Sequence, residues 1–473
     1  MLPVVVLVGQ PNVGKSTLFN RLTKSRDALV GEAPGLTRDR QYGIATVNNK
    51  KFIVVDTAGI NERPTESAAR SKKNMTVVRR AMQQSLMAMQ EADVVIFMVD
   101  GKLGLNSADY ELAQTVRELG RPVWLAVNKT EGRDTDVVMS DAYSLGMEKQ
   151  IAISASHGNG LSELFENALA MFPDQVQEEA GEGLPRIAVI GRPNVGKSTL
   201  INALLKEERL VVFDQPGTTR DCVEVNFRHN DRDYILIDTA GMRRRSKVEQ
   251  GIEQFSVVQS LQALNSANVI IMVMDASESI TDQDVTLAGH VLEHGKSIVI
   301  AINKIDLLNR EGKEHLLSEI DRRLPFMNYA AVLLLSAKKG TRLEQLIPNV
   351  DRAYGSAFKD LGTSRLNTVL EKAVTATPPP MVKGRRIKLK FAHQGGKNPP
   401  TIIVHGNQTK VIPDSYRRYL ANSFRKAFDL EGTPVRLAFK QGRNPFEGRK
   451  QAPTQRQKKR QRRQKRRMKK KYT

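Results

Sequence analysis

Two nine-residue stretches of this chain have the composition of a phosphate-binding loop. Each follows a short apolar run and has the pattern Gly-x-x-x-x-Gly-Lys-Ser-Thr, over residues 9–17 and 191–199. In that setting backbone N–H groups surround a phosphate at a helix N-terminus, the lysine offers charge to the outer phosphates, and the serine can ligate Mg²⁺. From average residue usage, about 0.02 chance matches to this phosphate-loop pattern are expected in a chain of this length. The assigned residues are Gly9, Gly14, Lys15, Ser16 and Thr17, and Gly191, Gly196, Lys197, Ser198 and Thr199.

A second set of residues suits a magnesium ion and a terminal phosphate. Asp56 and Asp238 follow apolar runs and open the tetrad Asp-Thr-Ala-Gly, whose final glycine leaves a backbone N–H for the phosphate. Each Pro-Gly-x-Thr-Arg-Asp segment offers a threonine hydroxyl that is predicted to reach the ion only with triphosphate bound. The predicted ligands of Mg²⁺ are Ser16, Thr37, Asp56, Ser198, Thr219 and Asp238, with Gly59 and Gly241 at the phosphate.

The stretch Asn303-Lys304-Ile-Asp306 predicts selection of guanine. A carboxylate accepts the N1 and N2 hydrogens of guanine, whereas adenine offers an acceptor at N1 and no amine at C2, so discrimination is large. We expect Lys304 to lie along the base and Asn303 to join this loop to the phosphate loop. The backbone of Ala337, after Ser336, is predicted to meet the guanine carbonyl.

The first copy of this base-selecting stretch differs at one position. Asn128-Lys129-Thr-Glu131 places glutamate where the second copy has aspartate, and Ser154-Ala155 corresponds to Ser336-Ala337. The charge and the acceptors are retained one methylene further out. We therefore expect guanine preference to survive, with weaker binding. An alternative is that the stretch is only a polar strand end.

The sequence names Lys15, Lys197, Thr37 and Thr219 as catalytic candidates, but no glutamine follows either Asp-Thr-Ala-Gly tetrad. Ile60 and Met242 stand there instead, so another group must assist hydrolysis. Asn12 and Asn194, inside the phosphate loops, are the candidates for holding a monovalent cation, K⁺, against the phosphates. A role only in stabilising the loop turn is the alternative.

For two further features, a histidine pair and a run of arginines, the sequence predicts a structural role before a functional one. His290 and His294 are spaced as a metal pair on a predicted helix, but no third ligand is evident, so an exposed helix face is predicted. The run at 243–245 of three arginines is predicted to be a solvated loop, with an arginine finger or an RNA contact as alternatives.

These residues need a scaffold, and the sequence repeats it. Corresponding motifs of the two halves lie at a constant offset of 182 residues, except for the Asn-Lys pair at 175. Apolar runs at 52–55, 94–99, 123–127, 234–237, 269–274 and 298–302 alternate with helical stretches. Alternating βα units predict α/β P-loop domains whose parallel sheets are covered on both faces, with ligands at the strand carboxyl ends.

The predicted domains are two P-loop GTPase domains at 1–172 and 185–355, an acidic linker at 173–184, a small α+β domain at 356–443 and a tail at 444–473. The small domain is predicted as α-β-β-α-β. Residues 450–473 contain thirteen Lys or Arg and no acidic residue, and removing them takes the formal charge from +22 to +9. This tail is predicted to be disordered until it binds.

Composition limits the classes of protein and partner. The charge of +22 indicates a polyanionic partner, nucleic acid or an anionic membrane surface. The single Cys222 excludes intramolecular disulfides and fits a reducing compartment. Apolar runs are too short to span a membrane. We expect a cytoplasmic monomer without DNA specificity.

Taken together, the tandem modules, the Pro-Asn-Val-Gly-Lys-Ser-Thr loops, the Pro-Gly-x-Thr-Arg-Asp segments and the small basic domain resemble the Der, or EngA, family of ribosome assembly GTPases. The resemblance covers residues 3–443. It implies a KH-like C-terminal domain near the first GTPase domain, GTP or GDP with Mg²⁺ as ligands, and K⁺ held by the phosphate-loop asparagine.

The resemblance also implies association with the large ribosomal subunit and its rRNA during late assembly. No Gly-x-x-Gly clamp occurs between residues 356 and 443. Two other classes of function stay open: a passive RNA-binding or chaperone protein in which nucleotide only stabilises the fold, and a GTPase coupled to RNA modification.

Overall fold

In the computed structural model of the chain, residues 1–23, 40–57, 88–172, 183–207, 223–238, 257–382 and 385–441 are described. They form two α/β domains and a smaller C-terminal domain, so the predicted fold class is confirmed. The predicted limits of the domains stay a prediction. The helix Leu346–Phe358 runs across the expected boundary at 355, and the acidic linker and the basic tail fall largely or wholly outside the described residues.

The first α/β domain has a six-stranded sheet in the order β2-β3-β1-β4-β5-β6. Its elements are β1 (Val4–Gly9), α1 (Lys15–Thr23), β2 (Arg40–Val47), β3 (Lys50–Thr57), β4 (Val94–Asp100), α2 (Ser107–Glu118), β5 (Val123–Asn128), α3 (Thr135–Ala142), β6 (Gln150–Ala152) and α4 (Leu161–Ala168).

The second α/β domain repeats this order as β8-β9-β7-β10-β11-β12. Its elements are β7 (Arg186–Ile190), α5 (Lys197–Glu207), β8 (Val223–His229), β9 (Arg232–Asp238), α6 (Val257–Ser266), β10 (Val269–Asp275), α7 (Asp282–Glu293), β11 (Ser297–Asn303), α8 (Arg310–Arg323), β12 (Ala331–Leu334) and α9 (Leu346–Phe358). The duplication read from the sequence is therefore a duplication of topology.

The central strands are apolar because both faces of each sheet are covered. In β1, Val5 and Leu7 pack in one cluster with Leu18 of α1, whereas Val4 and Val6 belong to the cluster on the opposite face. Alternate residues of a strand point to opposite faces, so a strand covered on both has no polar positions.

The edge strands β2 and β8 were not predicted from the sequence. Each pairs antiparallel with its neighbour, through two-residue turns whose central residues, Asn48-Asn49 and Asn230-Asp231, all have positive φ. Asparagine and aspartate tolerate this conformation, which matches the twist of the flanking strands. The sheets are thus parallel with one antiparallel edge.

The C-terminal domain has the predicted α-β-β-α-β order, with one additional pair of two-residue strands. Its elements are α10 (Thr363–Ala376), β13 (Met381–Val382), β14 (Arg385–Arg386), β15 (Lys388–Gly396), β16 (Thr401–Asn407), α11 (Asp414–Phe428) and β17 (Arg436–Gln441). Strand β15 pairs antiparallel and β17 parallel with β16. Leu370 of α10 and Phe424 of α11 pack with Ile402 and Val404 on one face of this sheet.

A loop of the C-terminal domain is joined to the second α/β domain through one glycine. Gly432 accepts from the N–H of Ile298 at 2.7 Å and donates to the carbonyl of Tyr329 at 2.7 Å. The two α/β domains meet where the Gln262 side chain both donates to and accepts from the backbone of Leu2. The implied position of the C-terminal domain near the first α/β domain stays a prediction.

Candidate functional site

The first phosphate loop is held closed by its own lysine. Lys15 Nζ donates to the carbonyls of Gly9 at 2.9 Å and Gln10 at 2.8 Å. Burial lowers the pKa of Lys15, and nearby Asp56 opposes that shift. Two loop carbonyls thus hold a buried cation at the helix N-terminus, where the phosphates of a nucleotide are predicted to lie.

Ser16 and Asp56 lie beside that lysine and have the chemistry of a magnesium site. Ser16 Oγ donates to Asp56 Oδ2 at 2.7 Å, and the buried Asp56 Oδ1 has no hydrogen-bond partner within the described parts of the chain. Burial raises the pKa of this carboxyl, opposed by Ser16 and Lys15. A hydroxyl and an incompletely paired carboxylate are hard oxygen ligands, which fit Mg²⁺ with substrate phosphates as the remaining ligands.

The second phosphate loop repeats the arrangement. Lys197 Nζ donates to the carbonyls of Gly191 at 3.0 Å and Arg192 at 2.7 Å. The side chain of Asp238, which corresponds to Asp56, is not among those that the structure describes. Across the described residues of both domains, no group of three or more His, Cys, Asp or Glu side chains is placed to hold a metal.

The base loops are joined to the phosphate loops by asparagine, as the sequence predicts for Asn303. Asn128 Nδ2 donates to Val13 O at 2.7 Å, and Asn303 Nδ2 donates to Val195 O at 2.9 Å. In each copy the asparagine Oδ1 accepts at 2.9 Å from a backbone N–H, that of Ala155 or Ala337. One side chain thereby fixes all three loops around each site.

The lysine of each base loop also reaches the phosphate loop. Lys129 Nζ donates to Asn12 O at 2.7 Å and to Asp100 Oδ2 at 2.6 Å. Lys304 Nζ donates to Asn194 O at 2.9 Å and pairs with Asp275. Each lysine has positive φ and is held at its ammonium end, so its aliphatic stem is fixed where a base plane can lie.

Asp100 and Asp275 are site residues that the sequence reasoning did not single out. Each ends a strand next to the base-loop strand, and each is buried. Burial raises the pKa of Asp100, but hydrogen bonds from Lys129 and two backbone N–H groups outweigh it and lower the pKa. The signal was present, because both copies carry an aspartate at this strand end at the same offset as the Asn-Lys pair.

The predicted base carboxylates lie in unlike surroundings. Glu131 is exposed, and Ser156 Oγ donates to its Oε1 at 3.5 Å. Asp306 has 15% side-chain exposure, and Lys339 Nζ lies 3.7 Å from its Oδ2. Residue 157, which corresponds to Lys339 at the 182-residue offset, is histidine. The two copies thus differ in the length of the carboxylate and in the residue beside it, histidine in the first copy and lysine in the second.

Arginines mark a second difference between the copies. Arg192, where the first loop has Gln10, donates from Nε to the buried Asp284 at 3.0 Å and pairs with Glu278 at 2.8 Å. Arg21, where the second copy has Ala203, donates from Nε to Ala155 O at 2.7 Å. In the second copy an arginine thus holds the phosphate loop, and in the first copy an arginine of α1 holds the loop at Ala155.

The roles of the remaining predicted site residues stay predictions. Asn12 and Asn194 are exposed with positive φ, a conformation that suits the turn and leaves the side chain available for an ion. Outside the described residues lie Thr37, Gly59, Thr219, Gly241, Cys222 and the arginines at 243–245.

The prediction that His290 and His294 occupy an exposed helix face is wrong. His290 is 6% exposed, and His294 Nδ1 lies 2.6 Å from the His290 carbonyl. Burial lowers the pKa of His294 to about 4. The end of α7 lies close to the C-terminal domain, where Arg436 donates to Glu293 O at 3.3 Å.

Family models match all three domains. The model described as 50S ribosome-binding GTPase matches residues 4–129 and 186–304. The model described as the C-terminal KH-domain-like region of EngA bacterial GTPase enzymes matches residues 361–440. No helix in the described ranges is long and apolar enough to cross a membrane.

Curated relatives match almost the whole chain. GTPase Der of Nitrosospira multiformis is 49% identical over 454 residues, covering 96% of both chains. GTPase Der of Nitrosococcus oceani is 50% identical over 460 residues, covering 97% of both. GTPase Der of Legionella pneumophila is 49% identical over 457 residues, also covering 97% of both.

Proposed function

The chain belongs to the Der (EngA) family of bacterial GTPases, and from that premise we propose that it acts in late assembly or stability of the large ribosomal subunit. As a member of this family, the chain is a GTPase, which hydrolyses GTP to GDP and phosphate. In this proposal the nucleotide state of the two GTPase domains sets the affinity for rRNA. The observation that carries it is the pair of nucleotide sites built alike, in domains that match a 50S ribosome-binding GTPase model.

The chemistry is in-line attack of water on the γ-phosphate. Lys15 and Lys197, which donate to loop carbonyls, exchange those acceptors for phosphate oxygens when triphosphate binds. Their charge then offsets the negative charge that develops on the transferred group. Thr37 and Thr219 are proposed to order the switch segments in the triphosphate state and to release them after hydrolysis.

Mg²⁺, when bound, would supply positive charge that offsets the charge of the phosphates. Ser16 and Asp56 would hold it in the first GTPase domain, and Ser198 and Asp238 in the second. The Oδ1 of Asp56, which has no hydrogen-bond partner among the residues that the structure describes, supports this assignment.

K⁺ is proposed at Asn12 and Asn194, since no glutamine follows either Asp-Thr-Ala-Gly tetrad. These exposed asparagines are the polar side chains at the centre of each phosphate loop. Replacement of K⁺ by Na⁺ should slow hydrolysis in the wild type, and Asn12→Ala or Asn194→Ala should remove that difference in the affected domain.

The proposed partners are the large ribosomal subunit and its rRNA, with no DNA specificity. The formal charge of +22 supports a polyanionic partner. A monomer in the cytoplasm stays our expectation. Family membership favours the enzyme over a passive RNA-binding protein in which nucleotide has only a structural role.

The test is sedimentation of the protein with ribosomal particles in the GTP-analogue, GDP and nucleotide-free states. Lys15→Ala and Lys197→Ala inactivate each GTPase domain separately, and Lys102→Ala, in the loop after β4, is a matched control. We expect association with large-subunit particles to depend on nucleotide state and to lose part of that dependence in each inactivated variant.

Two outcomes would contradict the proposal. Equal sedimentation in all three nucleotide states would favour the passive RNA-binding reading. A double variant at Lys15 and Lys197 that hydrolysed GTP as fast as the wild type would remove the assigned chemistry.

A further inference from the structure

Three rings form a cluster on the face of the KH-like sheet that the helices leave uncovered. Phe391 and His405 stack with centroids 4.3 Å apart and planes 8° apart, and His393 stacks on His405 at 5.1 Å and 26°. Phe391 and His405 are directly opposite each other on β15 and β16. The three rings therefore share nearly one orientation.

The position of this ring cluster follows from strand alternation. Ala392, Ile402 and Val404 are fully buried against the helices, so their neighbours Phe391, His393, Ile403 and His405 point to the other face. Phe391 is 45% exposed. A large aromatic ring on the solvent side of a sheet is costly to leave in water, unless a partner covers it.

The charge around the ring cluster is of one sign. Strands β15, β16 and β17 contain Lys388, Lys390, Arg436 and Lys440 and no acidic residue, and residues 361–441 contain 15 Lys or Arg against 4 Asp or Glu. Lys440 is paired in register with His405 and is exposed. The surface therefore combines π faces with positive charge.

The histidine in the cluster is suited to stacking as an uncharged ring. Burial lowers the pKa of His405, and the neighbouring His393 and Lys440 lower it further. The His405 Nε2 atom is buried without a hydrogen-bond partner among the described residues. A neutral imidazole stacks on a nucleobase as other aromatic side chains do.

The geometry points to a base-stacking surface: we propose that the outer face of the KH-like sheet, at Phe391, His393 and His405, binds single-stranded RNA. A base entering parallel to the rings extends the cluster, while Lys440 and the lysines of β15 meet the phosphates. Stacking platforms with positive flanks bind single strands with little sequence preference. This mode needs no Gly-x-x-Gly clamp, which the domain lacks. The inference rests on the proposed RNA association and assigns it a site.

The experiment measures binding of the full chain to a fluorescent single-stranded RNA of about ten nucleotides and to an abasic oligomer of the same length. The abasic probe has the phosphates without the bases, so it reports charge alone. Phe391→Leu keeps an apolar strand residue but removes the aromatic face, and His405→Leu does the same for the imidazole. Tyr143→Leu, at a 66% exposed ring of the first GTPase domain, is the matched control.

We expect Phe391→Leu and His405→Leu each to weaken RNA binding by about tenfold, and to leave binding of the abasic probe and GTP hydrolysis unchanged. Tyr143→Leu should change neither probe. Lys440→Gln should weaken both probes alike. Thermal unfolding of each variant separates a lost contact from a lost fold, and the imidazole variant provides a second reading should Phe391→Leu unfold.

Unchanged RNA affinity in both ring variants would overturn the inference, as would equal losses for the two probes, or a wild type that binds the RNA no better than the abasic probe. Sedimentation with ribosomal particles separates this failure from failure of the proposed function. A ring variant that binds RNA normally but sediments poorly would assign the face to a protein contact and contradict the RNA site. A wild type that binds the RNA through its rings but never sediments would contradict only the ribosomal role.

Discussion

Asn303 donates its side-chain N–H to the carbonyl of Val195, 108 residues earlier in the chain, at 2.9 Å. The same side chain accepts from Ala337 N at 2.9 Å. The second guanine site is therefore assembled from three loops by one amide that is almost completely buried. A buried group of this kind has its largest effect when it is removed, because its partners are left unpaired.

Replacing Asn303 by alanine should weaken binding of GDP to the second GTPase domain by at least about tenfold, because two buried backbone groups lose their partner. The measurement is a titration with a fluorescent GDP analogue in a Lys15→Ala background, which isolates the second site. Asn167→Ala, at an exposed helix position, is the control. Unchanged affinity in Asn303→Ala would show that the loops hold together without this amide.

Asp275→Asn should weaken GDP binding in the same background, because Lys304 loses its charged partner. Burial alone would raise the pKa of Asp275, but hydrogen bonds from Lys304 and Ser277 hold the pKa below its ordinary value of 3.8. The folded state thus favours the ionised carboxylate, so its stabilising contribution is present above about pH 4 and is lost as the pH falls through the folded pKa.

The pH dependence is tested by urea unfolding. The free energy of unfolding of the wild type should fall more steeply below about pH 4 than that of Asp275→Asn. Parallel pH profiles for the two proteins would argue against an Asp275 carboxylate stabilised by Lys304.

Glu131→Asp should tighten guanine-nucleotide binding in the first GTPase domain, because the carboxylate moves to the position that Asp306 has in the second. The reciprocal Asp306→Glu should weaken binding in the second domain. Both are measured as GDP dissociation constants, with Lys197→Ala or Lys15→Ala silencing the other site. A first domain that binds more weakly after Glu131→Asp would indicate that His157 and the serines around Glu131 are matched to the longer side chain.

Gly432→Ala should destabilise the junction between the KH-like domain and the second GTPase domain. Gly432 has φ +67°, and a Cβ there would lie 2.5 Å from Ala353 Cβ. A strained backbone and a clash together cost about 2 kcal/mol or more. The expected result is a lower Tm and faster proteolysis between the two domains. Gly362→Ala, where a Cβ meets nothing within 4 Å, should leave both unchanged.

Deleting residues 450–473 should flatten the dependence of RNA affinity on salt. Each neutralised phosphate contributes roughly 0.7–0.9 log units of affinity per decade of salt, and the deleted segment contains thirteen Lys or Arg. The slope of log affinity against log salt, measured with the same RNA probe, checks this. An unchanged slope would separate the tail from RNA binding.

The sequence predicts the central strands and the order of the motifs because both depend on local patterns. A strand such as β10 is apolar along its whole length, since both of its faces are covered. The edge strands β2 and β8 are too polar to stand out as apolar runs. Strand β8 does alternate, with Val225 and Phe227 on the core side and Glu224 and Arg228 exposed. The clearest signal for them is the pair of turn residues with positive φ, such as Asn230 and Asp231.

The sequence also predicts the site more completely than the contacts between domains. Motif residues sit at fixed spacings, and Asp275 does so too, since it precedes Lys304 by the same 29 positions that separate Asp100 from Lys129. The burial of His290 depends on how α7 and its C-terminal end pack in the assembled chain, which helical spacing does not encode. The periodicity of a sequence describes one helix or strand at a time. The burial of a residue such as His290 also depends on elements that are distant in the sequence.

Strand β11 begins at the contact with Gly432 and ends at Asn303. Its first residues pair with the KH-like domain through Ile298, and its last one organises the guanine loop. Seven strand residues fix a span of roughly 20 Å, and a paired central strand does not stretch. A single strand therefore connects the contact with the KH-like domain directly to the base loop of the second guanine pocket.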